Sequence, residues 1–194
     1  MEYYASPTMG LRNVMVQKKS PTWNNVKARL AEFDRTGLLG LVKDLYGASS
    51  DNRAFLHARF GLGADVLKPY KIAIDRWLSP DLLKNQNVSA SKAKKAIADY
   101  KNAIGRPEEL AELMVFYCER AADFSSGWGF EDEAYFNALL NMFYQALKIS
   151  ITLENDLRDA LLERLDKVRR ISHSIGYGVG DEMNIILAEY RGDT

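Results

Sequence analysis

Few residues in this chain are able to carry chemistry, and most of them stand apart from one another. Two histidines, His57 and His173, and one cysteine, Cys118, make up its whole stock of imidazoles and thiols. A lone cysteine excludes an intramolecular disulfide and a thiolate zinc site, and two imidazoles are too few for a histidine-rich metal centre. His57 stands beside Leu56 and Phe60. His173 follows Arg169-Arg170 near a helix end, where a cation is favourable without any catalysis. Cys118 lies in the run Val115-Phe116-Tyr117-Cys118 and reads as a small buried hydrophobe. A Cys-His nucleophile pair stays open as an alternative.

The carboxylates say little more. Glu112, Glu119 and Asp123 lie along one helical stretch, ahead of Glu131, Asp132 and Glu133. Helical di-metal sites draw on Glu-x-x-His motifs from facing helices, and the chain has none. Glu131 to Glu133 instead occupy a helix start, where acidic residues favour the backbone dipole. The sequence therefore predicts no bound metal, no cofactor and no catalytic residue. Two glycine runs, Gly127-Trp128-Gly129 and Gly176-Tyr177-Gly178-Val179-Gly180, follow helical rather than strand segments. A phosphate loop needs the strand. Both runs read as helix-to-helix turns with positive φ.

The strongest local feature is basic. Lys84, Lys92, Lys94, Lys95, Lys101 and Arg106 form a possible polyanion patch, with Asp99 the one acid between Lys92 and Arg106. On a helical wheel Lys94 and Lys101 flank one side of an apolar stripe, and Lys92 and Lys95 flank the other. Lysines in such places commonly snorkel around a packed helix, although phosphate contacts would need only these lysines and an exposed groove. A second cluster, Arg164, Lys167, Arg169 and Arg170, is interleaved with Glu163 and Asp166 and reads as pairing along a helix. Trp128, Phe130 and Tyr135 are possible partner-binding aromatics, since aromatics dominate interface hot spots. Closing the core is their alternative role.

The elements that must position these groups are helical. Ser20-Pro21-Thr22 opens a helix carrying Trp23, Val26, Leu30 and Phe33, and Leu38, Leu41, Val42 and Leu45 mark the next. Ser50 or Asp51 caps a third. Val66, Tyr70, Ile74 and Trp77 mark a fourth, and Ser89 or Ser91 caps the basic helix, with Ala93, Ala96, Ile97, Tyr100 and Ile104 inward. Pro107-Glu108-Glu109 starts a helix that the Ser125–Gly129 loop should end. From Glu131 to Ile175 two long helices fit, broken near 150–155. The first, with Leu139 and Phe143, is apolar on several sides and should be central; the second should lie outside. Asp181 caps a last helix.

No period-two run bounded by turns appears. The expected fold is all-α: an orthogonal or hairpin-array bundle of about eight to nine helices with little or no sheet. The expected organisation is a loose N-terminal arm at 1–19 and one helical domain at 20–194. Of the 194 residues, 47% are apolar, enough for a core without staples. The 26 basic and 26 acidic side chains give a formal charge of +0, so attraction to nucleic acid or an anionic membrane needs a local patch. The N-terminal residues lack the features of a secretory signal, no apolar run reaches a membrane span, and the cytoplasm is the expected compartment.

Four segments together resemble a known family: Gly40 to Tyr46, Tyr70 to Ile74, Lys92 to Ile97 and Pro107 to Met114. Over roughly residues 23–150 the chain is similar to an uncharacterised bacterial family of helical proteins, a domain of unknown function. The resemblance implies a helical fold and a bacterial host, and it carries no functional residues. Two functions from different classes remain. One is a helical interaction or scaffold protein that binds a protein partner or itself as a homo-oligomer. The alternative is a nucleic-acid-associated protein using Lys84–Arg106. An enzyme ranks below both, so the expectation is a non-enzyme.

Overall fold

The computed structural model describes residues 20–63 and 65–191. Among them every regular element is helical, and there is no strand. The bundle is all-α, as its spacing predicts. The arm expected at 1–19 lies outside the described residues. The contacts divide the expected single domain 20–194 into two units, one up to Asp44 and one from Leu45.

The first unit holds α1 (Trp23–Leu30) and most of α2 (Arg35–Ala48). Local chemistry sets both starts. The Thr22 amide and hydroxyl each donate to Asn25 Oδ1 at 2.8 Å, and Asp34 Oδ1 accepts from the Gly37 amide at 2.7 Å. These are the side-chain partners that free first-turn amides require. Neither helix buries a residue.

The second unit holds α3 (Ser50–Arg59), α4 (Lys68–Leu78), a 3-10 turn (Leu82–Lys84), α5 (Ala90–Ala103), α6 (Pro107–Trp128), α7 (Glu133–Ser150), α8 (Asn155–Ser172) and α9 (Val179–Arg191). Ser49, Ser89 and Asp132 cap α3, α5 and α7 through their side chains. The core runs along α6, which packs on α4, α5, α7 and α8. Leu113, Tyr117 and Cys118 of α6 meet Leu139 and Phe143 of α7 in one cluster of fully buried side chains. The central place expected for α7 thus belongs first to α6. On α8 the stripe Leu161, Leu165, Val168 is buried, and the exposed charges, such as Glu163, Lys167 and Arg170, lie off that stripe.

The loop expected at Ser125–Gly129 is a further correction. Residues 125–128 are the last turn of α6. Phe124 and Ser125 are buried there, and packing outweighs the cost of about 1 kcal/mol for Gly127 inside a helix. The helix stops only at Gly129, whose φ of 60° is left-handed. The Gly176–Gly180 run is the turn anticipated. Gly176, Tyr177 and Gly178 all have positive φ, and α9 begins two residues before Asp181, the expected cap. At Gly180 an added Cβ would lie 2.6 Å from the His173 ring, so glycine permits this close approach.

Candidate functional site

The six cations of the basic stretch do not form one face. Lys84 pairs with Asp81 at 3.0 Å, Lys95 with Asp99 at 2.5 Å and Arg106 with Glu109 at 3.1 Å, each within one turn of helix. Lys92 sits over the Trp77 ring, 4.0 Å from its centroid. Lys94 and Lys101 are exposed on the opposite flank of α5, whose inward side is Ala93, Ala96, Ile97 and Tyr100. The two flanks of the buried stripe therefore separate the cations, and three of the charges are already matched.

The aromatics also part company. Tyr135 is 3% exposed and its hydroxyl donates to the Leu78 carbonyl at 2.9 Å. It is a core residue, which corrects the expectation of a surface anchor. Phe130 is half-buried between Phe124 and Tyr135, with ring centroids 5.3 and 5.2 Å away, and also closes the core. Trp128 keeps an exposed role. Its ring touches Phe124 at 6.4 Å and otherwise faces out, at 54% exposure.

Lys94, Phe130 and Tyr135 come together in a groove of about 650 Å3 between the start of α5 and α7. Its α7 wall carries Asn137, Asn141 and Gln145, one polar row on a helix that is otherwise apolar. Two of those amides are occupied by the helix itself: Asn141 donates to the Asn137 backbone carbonyl and Gln145 to the Asn141 backbone carbonyl. The groove offers shape, the Lys94 cation and the Asp132 carboxylate, which is engaged as the cap of α7 by the Tyr135 amide at 2.7 Å.

The carboxylates Glu112 and Glu119 have a structural partner that spacing along one helix does not reveal. Both accept from Arg164 of α8, Glu119 through two bonds of 2.8 Å, and Lys71 of α4 donates to Glu112 at 2.6 Å. Arg120 ties α6 to α4 through Asp75 at 2.6 Å and Ser79 at 3.3 Å. Burial works to raise the Glu112 pKa, but the bonds from Arg164 and Lys71 prevail and hold it below the usual carboxylate range. Glu119 and the guanidinium are mutually satisfied, so the cluster is a clasp across three helices. Lys167, Arg169 and Arg170 pair along α8 with Glu163 and Asp166, as expected, whereas Arg164, expected to do the same, reaches across to α6.

His57 accepts or shares a proton with the Tyr46 hydroxyl at 3.0 Å, and His173 lies 3.7 Å from Asp181. Cys118 is fully buried, and burial pushes its thiol pKa well up, against nucleophilic use. Among the described residues no group of three or more His, Cys, Asp or Glu is placed to hold a metal ion.

The feature that sequence reasoning missed is in the first unit. The apolar stripes read there are largely open: Trp23 is 66% exposed, Val26, Phe33, Leu38 and Val42 are exposed, as is Leu39 outside the stripe, and only Leu30 and Leu41 are half-buried. Isolated exposed apolar residues are ordinary, but five on two consecutive helices, with Phe33 between them, are a surface that water solvates poorly. Three glycines in α2, Gly37, Gly40 and Gly47, were the available signal, because a helix meant for a core rarely carries so many.

Among the described residues, no helix is long and apolar enough to cross a membrane. Compared with protein-family models, with curated proteins and with solved structures, the chain finds no match.

Proposed function

We propose that this is a helical interaction protein that binds a protein partner, or a second copy of itself, through the apolar face of α1 and α2. We also propose that it is a member of the bacterial helical family that residues 23–150 resemble, and that it acts in the cytoplasm without catalysing a reaction. The observation that carries the reading is that α1 and α2 bury no residue while holding Trp23, Val26, Leu38 and Val42 in the open, with Phe33 exposed between them. An amphipathic helix draws most of its stability from packing that face. Three glycines cost α2 roughly 2–3 kcal/mol of intrinsic helix stability. Docking on a partner returns that loss, and aromatic anchors such as Trp23 concentrate the binding energy. The split of Lys84, Lys92, Lys94, Lys95, Lys101 and Arg106 over two flanks, with local acids on three of them, favours this reading over nucleic-acid binding.

The test is Leu38→Glu with Val42→Glu in the full chain. Light scattering over a concentration series reads self-association, and capture from the native host reads partner binding. The double variant should keep the wild-type melting temperature of the Leu45–Thr194 unit and lose association. A variant that associates and captures as the wild type does would overturn the proposal.

A further inference from the structure

The second unit holds a cleft that none of the foregoing uses. It opens among α7, α8 and α9, has a volume of about 500 Å3 and is walled by Leu147, Ile151, Leu162, Leu187 and Tyr190. That size lies within the range of small-molecule sites, which are mostly apolar and carry a few fixed polar groups. Here the polar groups are Arg158 and Asp166, both of α8. Asp166 is already matched, by Arg169 at 2.8 Å and Arg170 at 3.2 Å. Arg158 is held less firmly. Its partner is its chain neighbour Asp159, at 2.9 Å, and that carboxylate is 65% exposed. Such a pair in water contributes little and is readily exchanged. Of the two charged side chains that line the cleft, Asp166 is thus engaged by cations of its own helix, and Arg158 is the one left to meet a ligand.

From this juxtaposition we infer that the α7–α9 cleft binds an amphiphile with an unbranched apolar tail and a single carboxylate head, the tail among Leu147, Leu162 and Leu187 and the head on Arg158. A guanidinium is the side chain best shaped for a carboxylate, which it takes through two parallel bonds. Tyr190 adds a phenol ring at the same wall, its centroid 5.9 Å from that of Tyr144 and tilted 55° to it. The inference is independent of the α1–α2 surface.

The experiment is an amide NMR titration of the full chain with hexanoate, octanoate and decanoate, each below its micelle concentration, and with octanol. Saturable shifts should centre on Ile151, Leu162 and Leu187. Affinity should rise about fourfold per added methylene, as tail burial requires. Arg158→Gln should weaken octanoate about tenfold and leave octanol unchanged. Leu162→Trp, which fills the cleft, should abolish both; Leu187→Phe serves if that variant does not fold. No saturable shift at α7–α9 in the wild type would overturn the inference. So would an equal loss of octanol and octanoate in Arg158→Gln, or shifts confined to the exposed apolar residues of α1 and α2.

Discussion

Two stretches with the same apolar rhythm meet opposite fates in this molecule. In α1, Trp23, Val26 and Leu30 recur at three and four residues; in α6, Leu110, Leu113, Met114 and Tyr117 do the same. The α6 stripe lies under α4, α5, α7 and α8 and is buried, Leu113 entirely. The α1 stripe stays in solvent. Periodicity sets which face of a helix is apolar, and a neighbour decides whether that face is covered. The contrast separates helices that bury their apolar residues from helices that leave them exposed.

The contrast breaks most visibly under side-chain truncation. Phe143→Ala or Leu139→Ala removes a side chain with no solvent exposure and should cost about 2–5 kcal/mol in denaturant unfolding. Val42→Ala, at 42% exposure, should change stability by less than about 0.5 kcal/mol. Equal costs at Phe143 and Val42 would mean that α2 is part of the core. Next in size is the clasp. Arg164→Met leaves Glu112 and Glu119 without their shared cation and should cost about 1.5–3 kcal/mol, since each is only about a quarter exposed.

The same clasp predicts an acid limb. Because the folded-state pKa of Glu112 is held below its unfolded value, its contribution is complete above the ordinary carboxylate range, near pH 4.3. That contribution is lost as pH falls through the lower folded-state value. Stability measured between about pH 6 and 2 should therefore fall less steeply in Arg164→Met than in the wild type. Identical slopes would remove Glu112 from the account.

The smallest effect sharpens the other side of the comparison. An added Cβ at Gly40 meets nothing within 4 Å, and the residue is helical. Gly40→Ala should stabilise α2 by about 0.5–1 kcal/mol, read as increased helix content by circular dichroism. A loss would show that something in the folded chain needs the glycine.

Much of the fold was legible from residues. The caps at Thr22 and Ser89, the break between α7 and α8, and the burial of Leu139 and Phe143 all follow from spacing and capping chemistry. The end of α6 did not, because buried Phe124 and Ser125 outweigh a mid-helix Gly127, and that balance depends on α7. Candidate site residues fared similarly. The two flanks of α5 could be read from a helical wheel, so the division of the lysines was foreseeable. The union of Glu112, Glu119, Lys71 and Arg164 was not, since it spans α4, α6 and α8, and sequence spacing is silent across helices. Tyr135 reads as an anchor alongside Trp128 and Phe130 because aromatics dominate interface hot spots. Its hydroxyl bond to Leu78 is a tertiary fact.

The central claim is that α1 and α2 leave their apolar residues exposed while α6 and α7 bury theirs, and amide hydrogen exchange tests it most directly. In dilute, unpartnered protein the amides of Trp23–Leu30 and Arg35–Ala48 should exchange orders of magnitude faster than those of α6 and α7, whose protection should approach that of global unfolding. Slow exchange in α1 and α2, matching the core of α6, would contradict the account.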